Sequence, residues 1–147
     1  MRIAIGSDHA GFELKEHVKA RLAALGHEVS DTGPATDEGS IDYPTTAAPT
    51  ARMVAEGTAE RAVVVCGSGV GVAIVANKID GVRAVNAHDP EEAELARRHN
   101  DANVLALGGR RLTAEQADAI VETFLRTDFE GGRHGRRVEQ ISALEGA

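Results

Sequence analysis

An α/β fold follows from three features of the sequence. Strand-like and helix-like segments alternate almost without exception. The apolar runs are short and often β-branched, and polar or glycine residues begin where each run stops. This order predicts a single three-layer α/β/α sandwich built on a five-stranded parallel sheet. The 147 residues are one domain's worth, so residues 1–147 form one unit.

Arg2–Gly6 reads as a buried strand, and Gly11–Leu25 as a helix with Phe12, Leu14, Val18, Leu22 and Leu25 near helical spacing. Gly26 stops it, and His27–Asp31 offers the second strand. Thr32–Pro44, with two prolines and two glycines, is a long loop. Thr45–Gly57 follows as a helix despite Pro49, which belongs in a first turn or at a kink. Arg61–Cys66 is a β-branched run suited to the middle of a parallel sheet, and a short helix continues to Lys78. Val82–Asn86 is the fourth strand. Asp89–His99 is a helix capped by Asp89, with Pro90 at its first position. Asn103–Leu107 is the fifth strand, and Thr113–Leu125 opens on a capping-box pattern. A turn at Gly131-Gly132 leads into a basic helix over about 133–144.

Composition narrows the function. Hydrophobic residues are 42% and charged residues 27%, and no apolar run approaches the roughly 18 residues of a spanning helix, which argues against a membrane protein. The N-terminus turns polar too early for a signal peptide. One cysteine makes no internal disulfide, so a cytoplasmic, reducing setting is expected. A net charge of −7 makes nucleic acid an unsuited partner, and 3% aromatic residues leave little for base stacking.

In parallel sheets ligands bind beyond the carboxyl ends of the strands. Gly67-Ser68-Gly69-Val70-Gly71 stands at such an end, where permissive backbone and peptide N–H groups can meet an anion. Its spacing is neither a dinucleotide fingerprint nor a P-loop. Cys66 opens this loop. It reads either as a small core residue or as a thiolate favoured by neighbouring N–H groups. No protease signature surrounds it, whereas a base moving a proton between adjacent carbons fits, with loop N–H groups on an enediolate oxygen. Asp8 reads as an N-cap or a ligand, and Asp8-His9 has no further metal ligands at the usual spacing. His99-Asn100 reads equally as a helix C-cap. Arg133 and Arg137, four apart on one helix face, form a candidate anion clamp.

In order and spacing, Gly6-Ser7-Asp8-His9-Ala10-Gly11, Asp42-Tyr43-Pro44, Cys66-Gly67-Ser68-Gly69-Val70-Gly71, Ala76-Asn77-Lys78, Arg83-Ala84, His99-Asn100 with Asn103-Val104, and Gly132-Arg133-His134 with Arg136-Arg137-Val138 make up a set. Nearly end to end, this set resembles the ribose-5-phosphate isomerase B / galactose-6-phosphate isomerase family. The resemblance implies a doubly wound, Rossmann-like sheet and a homodimer with active sites shared between subunits. Pairing of dimers into a tetramer is left open, and the last helix is expected to pack across the dimer. It implies aldose–ketose isomerisation of a sugar phosphate through a cis-enediolate, with no metal and no cofactor. Cys66 matches the base, His99 the ring-opening residue and Ser68 the assisting hydroxyl. Asp8 matches a ligand of the sugar hydroxyls, and His9, Arg133 and Arg137 match phosphate ligands. Arg110, Asn100, Tyr43 and the Gly67–Gly71 backbone complete the matched pocket. Ser68 replaces a common Thr, Thr45 a common acidic residue, and Val85-Asn86-Ala87 a more apolar or cysteine-bearing segment. Ribose 5-phosphate is the expected substrate. Four- and six-carbon sugar phosphates are the alternatives, and a non-catalytic sugar-phosphate binder is the reading from another class.

Overall fold

A computed structural model describes residues 1–146. Five strands, β1 (Arg2–Ser7), β2 (Glu28–Asp31), β3 (Arg61–Cys66), β4 (Ala84–Asn86) and β5 (Val104–Gly108), form one sheet in the order β2-β1-β3-β5-β4. Every pairing is parallel. Six helices complete the fold: α1 (Phe12–Ala24), α2 (Pro44–Ala55), α3 (Val70–Ala76), α4 (Pro90–Asn100), α5 (Ala114–Arg126) and α6 (Arg133–Ser142). The strand order reverses between β1 and β3, and at such a switch point the loops diverge and leave a crevice at the carboxyl edge.

Two cores flank the sheet because side chains alternate along each strand. Val63 and Val65 join Ile3, Ile5, Leu105 and Leu107 under α1, α4 and α5. Ala62, Val64 and Cys66 face the other way with Ala4 and Ala106, under α2 and α3. This second face is largely Ala and Val, so its helices pack close to the backbone. The Thr113–Gln116 capping box is present, as is the Asp89 cap of α4.

Element ends differ from the sequence reading by one or two residues, and Pro49 lies inside a helix rather than in its first turn. β4 begins at Ala84 rather than Val82, because side chains hold the residues before it. Asn103 Oδ1 accepts the Arg83 N–H at 2.8 Å, and Asn77 binds both the N–H and the carbonyl of Ala84. Pro49 lies in the second turn of α2, where it leaves out a helical donor, while the Thr50 hydroxyl donates to the Thr46 carbonyl at 2.6 Å. α6 ends at Ser142, two residues earlier than the pattern suggests. Among the described residues no helix is long and apolar enough to cross a membrane.

Candidate active site

β3 delivers Cys66 to the carboxyl edge of the sheet, 4% exposed. The Gly69 N–H donates to its Sγ at 3.2 Å. The thiolate is the form of cysteine that acts as base or nucleophile, and this peptide N–H is in place to hydrogen-bond it. The Ser68 Oγ accepts the Val70 N–H at 3.1 Å, which leaves the hydroxyl proton free to donate elsewhere. The strand and its loop are stitched to the end of β5 by the Gly109 N–H on the Cys66 carbonyl and the Arg110 N–H on the Gly67 carbonyl.

β1 ends beside them. Asp8 is buried, with Oδ1 accepting the Gly11 N–H at 2.9 Å, so it closes the turn before α1, and Gly11 is the residue at the N-cap. His9 is exposed, and its Nδ1 accepts the Ile41 N–H at 3.0 Å. With a backbone donor at Nδ1, a neutral ring carries its proton on Nε2, a donor suited to an anion. Tyr43 stands at the start of α2. A Cβ at Gly71 would lie 2.8 Å from its ring, so only glycine lets the ring lie this close to α3. Asp8, His9, Ala10, Tyr43, Cys66, Gly67, Ser68, Gly71, Arg110 and Arg111 surround a cavity of about 550 Å³. That is within the range of small-molecule sites.

The remaining expected residues lie elsewhere in the chain. α4 starts beyond the carboxyl end of β4 and runs back along the sheet, so its last residues, His99 and Asn100, arrive at the opposite edge. Eleven residues of helix separate the two ends by roughly 16 Å. The C-cap of α4 is Asp101, in the left-handed conformation, so His99 and Asn100 belong to the final turn. α6 packs on this corner: the His134 ring stacks on His99 with centroids 4.3 Å apart, and the Glu130 N–H donates to the Arg98 carbonyl. Arg133 and Arg137 share an exposed face of α6. Burial, with His99 and the arginines beside it, holds the His134 imidazole below the usual histidine range. Its Nε2 has no hydrogen-bond partner among the described residues. His99, Glu130 and His134 bring ligand atoms within 4.8 Å of one another, but stacked rings 13° apart keep their lone pairs in nearly parallel planes. That is a poor arrangement for one ion.

Cys66, Ser68, Asp8, His9, Tyr43, Gly67, Gly71 and Arg110 therefore meet at one cavity. Gly69 serves it from behind, through its N–H, and Val70 is 52% exposed outside the lining. His99, Asn100, Arg133 and Arg137 form a second group that contributes nothing to this cavity. The sequence reading missed Arg111, one residue past the strand-end signal, and the lining residue Ala10.

The chain matches the profile of the Ribose/Galactose Isomerase family over residues 3–141. It is 46% identical over 144 residues to ribose-5-phosphate isomerase B of Escherichia coli (strain K12), spanning 98% of this chain and 96% of that protein. It is 39% identical to D-erythrulose-4-phosphate isomerase of Pectobacterium atrosepticum, spanning 99% of this chain and 95% of the relative. The crystal structure of a ribose 5-phosphate isomerase from Thermotoga maritima superposes with a TM-score of 0.94 at 47% identity, covering 97% of each chain. With this fold, this strand-end cavity and a match running nearly end to end, the chain belongs to the ribose/galactose isomerase family.

Proposed function

We propose that this chain interconverts ribose 5-phosphate and ribulose 5-phosphate, with Cys66 as the base. The observation that carries the reading is the Cys66 sulfur at the mouth of the β3 loop, with a peptide N–H on it and the Ser68 hydroxyl and Asp8 around the same cavity. In the aldose direction the thiolate takes the proton from C2, a C1–C2 double bond forms, and the C1 carbonyl oxygen takes up the negative charge. The thiol returns the proton to C1, while the C2 hydroxyl loses its proton and becomes the ketone and O1 is protonated. Proton and electron pair balance within the substrate and Cys66, so no redox partner enters. Ser68 assists at the sugar oxygens, Asp8 holds sugar hydroxyls, and Tyr43, Asn100 and Arg110 make further substrate contacts.

Phosphate binding falls to His9, Arg133 and Arg137, and ring opening to His99. Because Cys66 and His99 lie at opposite edges of one sheet, the reading includes a homodimer in which the α4–α6 corner of one subunit completes the cavity of its partner. A thiol that must stay reduced fits a cytoplasmic setting.

The similarity to a D-erythrulose-4-phosphate isomerase favours a second reading, the same chemistry on a four-carbon sugar phosphate. With phosphate fixed at one end and Cys66 at the other, the cavity acts as a ruler, and displacement by about one bond length costs on the order of 10²-fold. A panel of four-, five- and six-carbon aldose and ketose phosphates, ranked by kcat/KM, tests both. Ribose 5-phosphate is expected to lead. A four-carbon phosphate ahead by about tenfold or more would transfer the function to the second reading, and no turnover on any would leave a binding protein.

A further inference from the structure

We propose that Asn86 is a positioning residue for Cys66, acting through the peptide that joins Ser68 to Gly69. Asn86 ends β4, and its Nδ2 donates to the Ser68 carbonyl at 3.4 Å. The other end of the same peptide is the Gly69 N–H, which donates to Cys66 Sγ at 3.2 Å. A trans peptide is a rigid plane with C=O and N–H pointing opposite ways, so a donor that fixes the oxygen also aims the hydrogen. The same donor polarises the peptide and strengthens the N–H as a partner for negative sulfur. At 3.4 Å the bond is at its long limit, which makes the effect a modest one.

Packing supports the same assignment. Gly69 has φ +82°, and a Cβ there would lie 2.4 Å from Asn86 Oδ1, so the amide lies directly against the turn that presents the N–H. That Oδ1 is buried with no hydrogen-bond partner among the described residues. An unpaired buried acceptor destabilises the fold, and an apolar side chain of similar shape would avoid that penalty. Core packing therefore does not explain an amide at this position, whereas its donor to Ser68 does. The inference rests on Cys66 as the base of the proposed reaction.

Cys66 is the only cysteine, so alkylation by iodoacetamide reports on this thiol alone, with no need for turnover. Asn86→Leu and Asn86→Val both remove the donor. In either variant the pH profile of alkylation is expected to move up by about half a unit, with alkylation near pH 7 slowed about threefold. The kcat for isomerisation should fall by a similar factor while KM stays within about twofold. A shifted profile in a variant whose thermal midpoint stays near that of the wild type separates positioning from support of the fold. An unshifted alkylation profile in whichever variant folds would overturn the inference, as would a fall in kcat without that shift. A shifted profile in an enzyme whose Cys66→Ser variant turns over normally would retire the base assignment and leave the positioning intact.

Discussion

In the proposed reaction, the strand-end cavity and the α4–α6 corner supply complementary halves of one site. Around Cys66 the groups are fixed by backbone: a peptide N–H on sulfur, a buried carboxylate on the Gly11 N–H, and a tyrosine ring over a glycine. At the corner the groups are carried by helices: a stacked imidazole pair and an exposed arginine face. The first half has the thiol, and its cations are Arg110 and Arg111. The second has three arginines within five residues and neither a thiol nor a cavity around one. Strand ends suit the half where small displacements are most damaging, because β3 is hydrogen-bonded to a neighbouring strand on each side. Long cationic side chains on a helix tolerate more play in gripping a phosphate. A single chain leaves the halves about a helix length apart.

The largest expected effect falls on the first half alone. Cys66→Ser keeps the size of the side chain but replaces a thiol with a hydroxyl that does not ionise near neutral pH. Isomerisation should drop by about 10²- to 10⁴-fold while sugar phosphate still raises the thermal midpoint. Near-normal turnover in Cys66→Ser would show that the cavity is not where the proton moves.

Complementation breaks or sharpens the comparison itself. Each of Cys66→Ser and His99→Asn should be weakly active alone, the second losing more with the cyclic aldose than with the acyclic ketose. After subunit exchange in an equal mixture, half the dimers carry one intact site of two, so about a quarter of wild-type activity returns. Recovery no greater than the sum of the separate variants, with exchange verified, would mean that the halves do not meet across a dimer. Sedimentation as a monomer at assay concentration would exclude the arrangement directly.

These two halves were legible in the sequence to different degrees. The strands β1, β3 and β5 could be read from short apolar runs, and the rule for parallel sheets put Asp8, Cys66 and Arg110 at one edge. The turn from Asp8 to Gly11 is local and carries its own signal. Contacts distant in sequence carry none. The Ile41 N–H on His9 spans 32 residues, the Asn86 amide reaches the Ser68 carbonyl across 18, and Tyr43 meets Gly71 only after α2 and α3 pack. The start of β4 was misread for the same reason, since Asn77 and Asn103 close it by side-chain bonds that no local pattern announces. That His99 ends at the far edge follows from the direction of α4, which spacing alone does not reveal.

The smallest expected effect concerns how the cavity half is braced. Lys15 is fully buried, and its Nζ donates to both oxygens of Asp31 at 3.0 Å and to the Pro34 carbonyl. It thereby ties α1 and β2 to the loop that carries Ile41 to His9 and Tyr43 to Gly71. Burial alone would raise the Asp31 carboxyl, but hydrogen bonds from Lys19, the Gly33 N–H and Lys15 hold it below the usual carboxylate range. A depressed carboxyl stabilises the fold in full above its unfolded value near pH 4, and that contribution is lost as pH falls through the folded value. Lys15→Met fills the space without the charge and leaves Asp31 with Lys19. It should destabilise the protein at pH 7 by about 2 kcal/mol, less than the full cost of breaking a buried pair because Asp31 keeps a partner. KM should rise about threefold through the loosened loop, with kcat nearly unchanged. Urea midpoints at pH 7 and pH 3 give the sign: the gap between wild type and Lys15→Met should narrow at pH 3, where Asp31 gains protons in both. An equal gap at the two pH values would show that Lys15 braces the loop through Pro34 alone and not through the charge of Asp31.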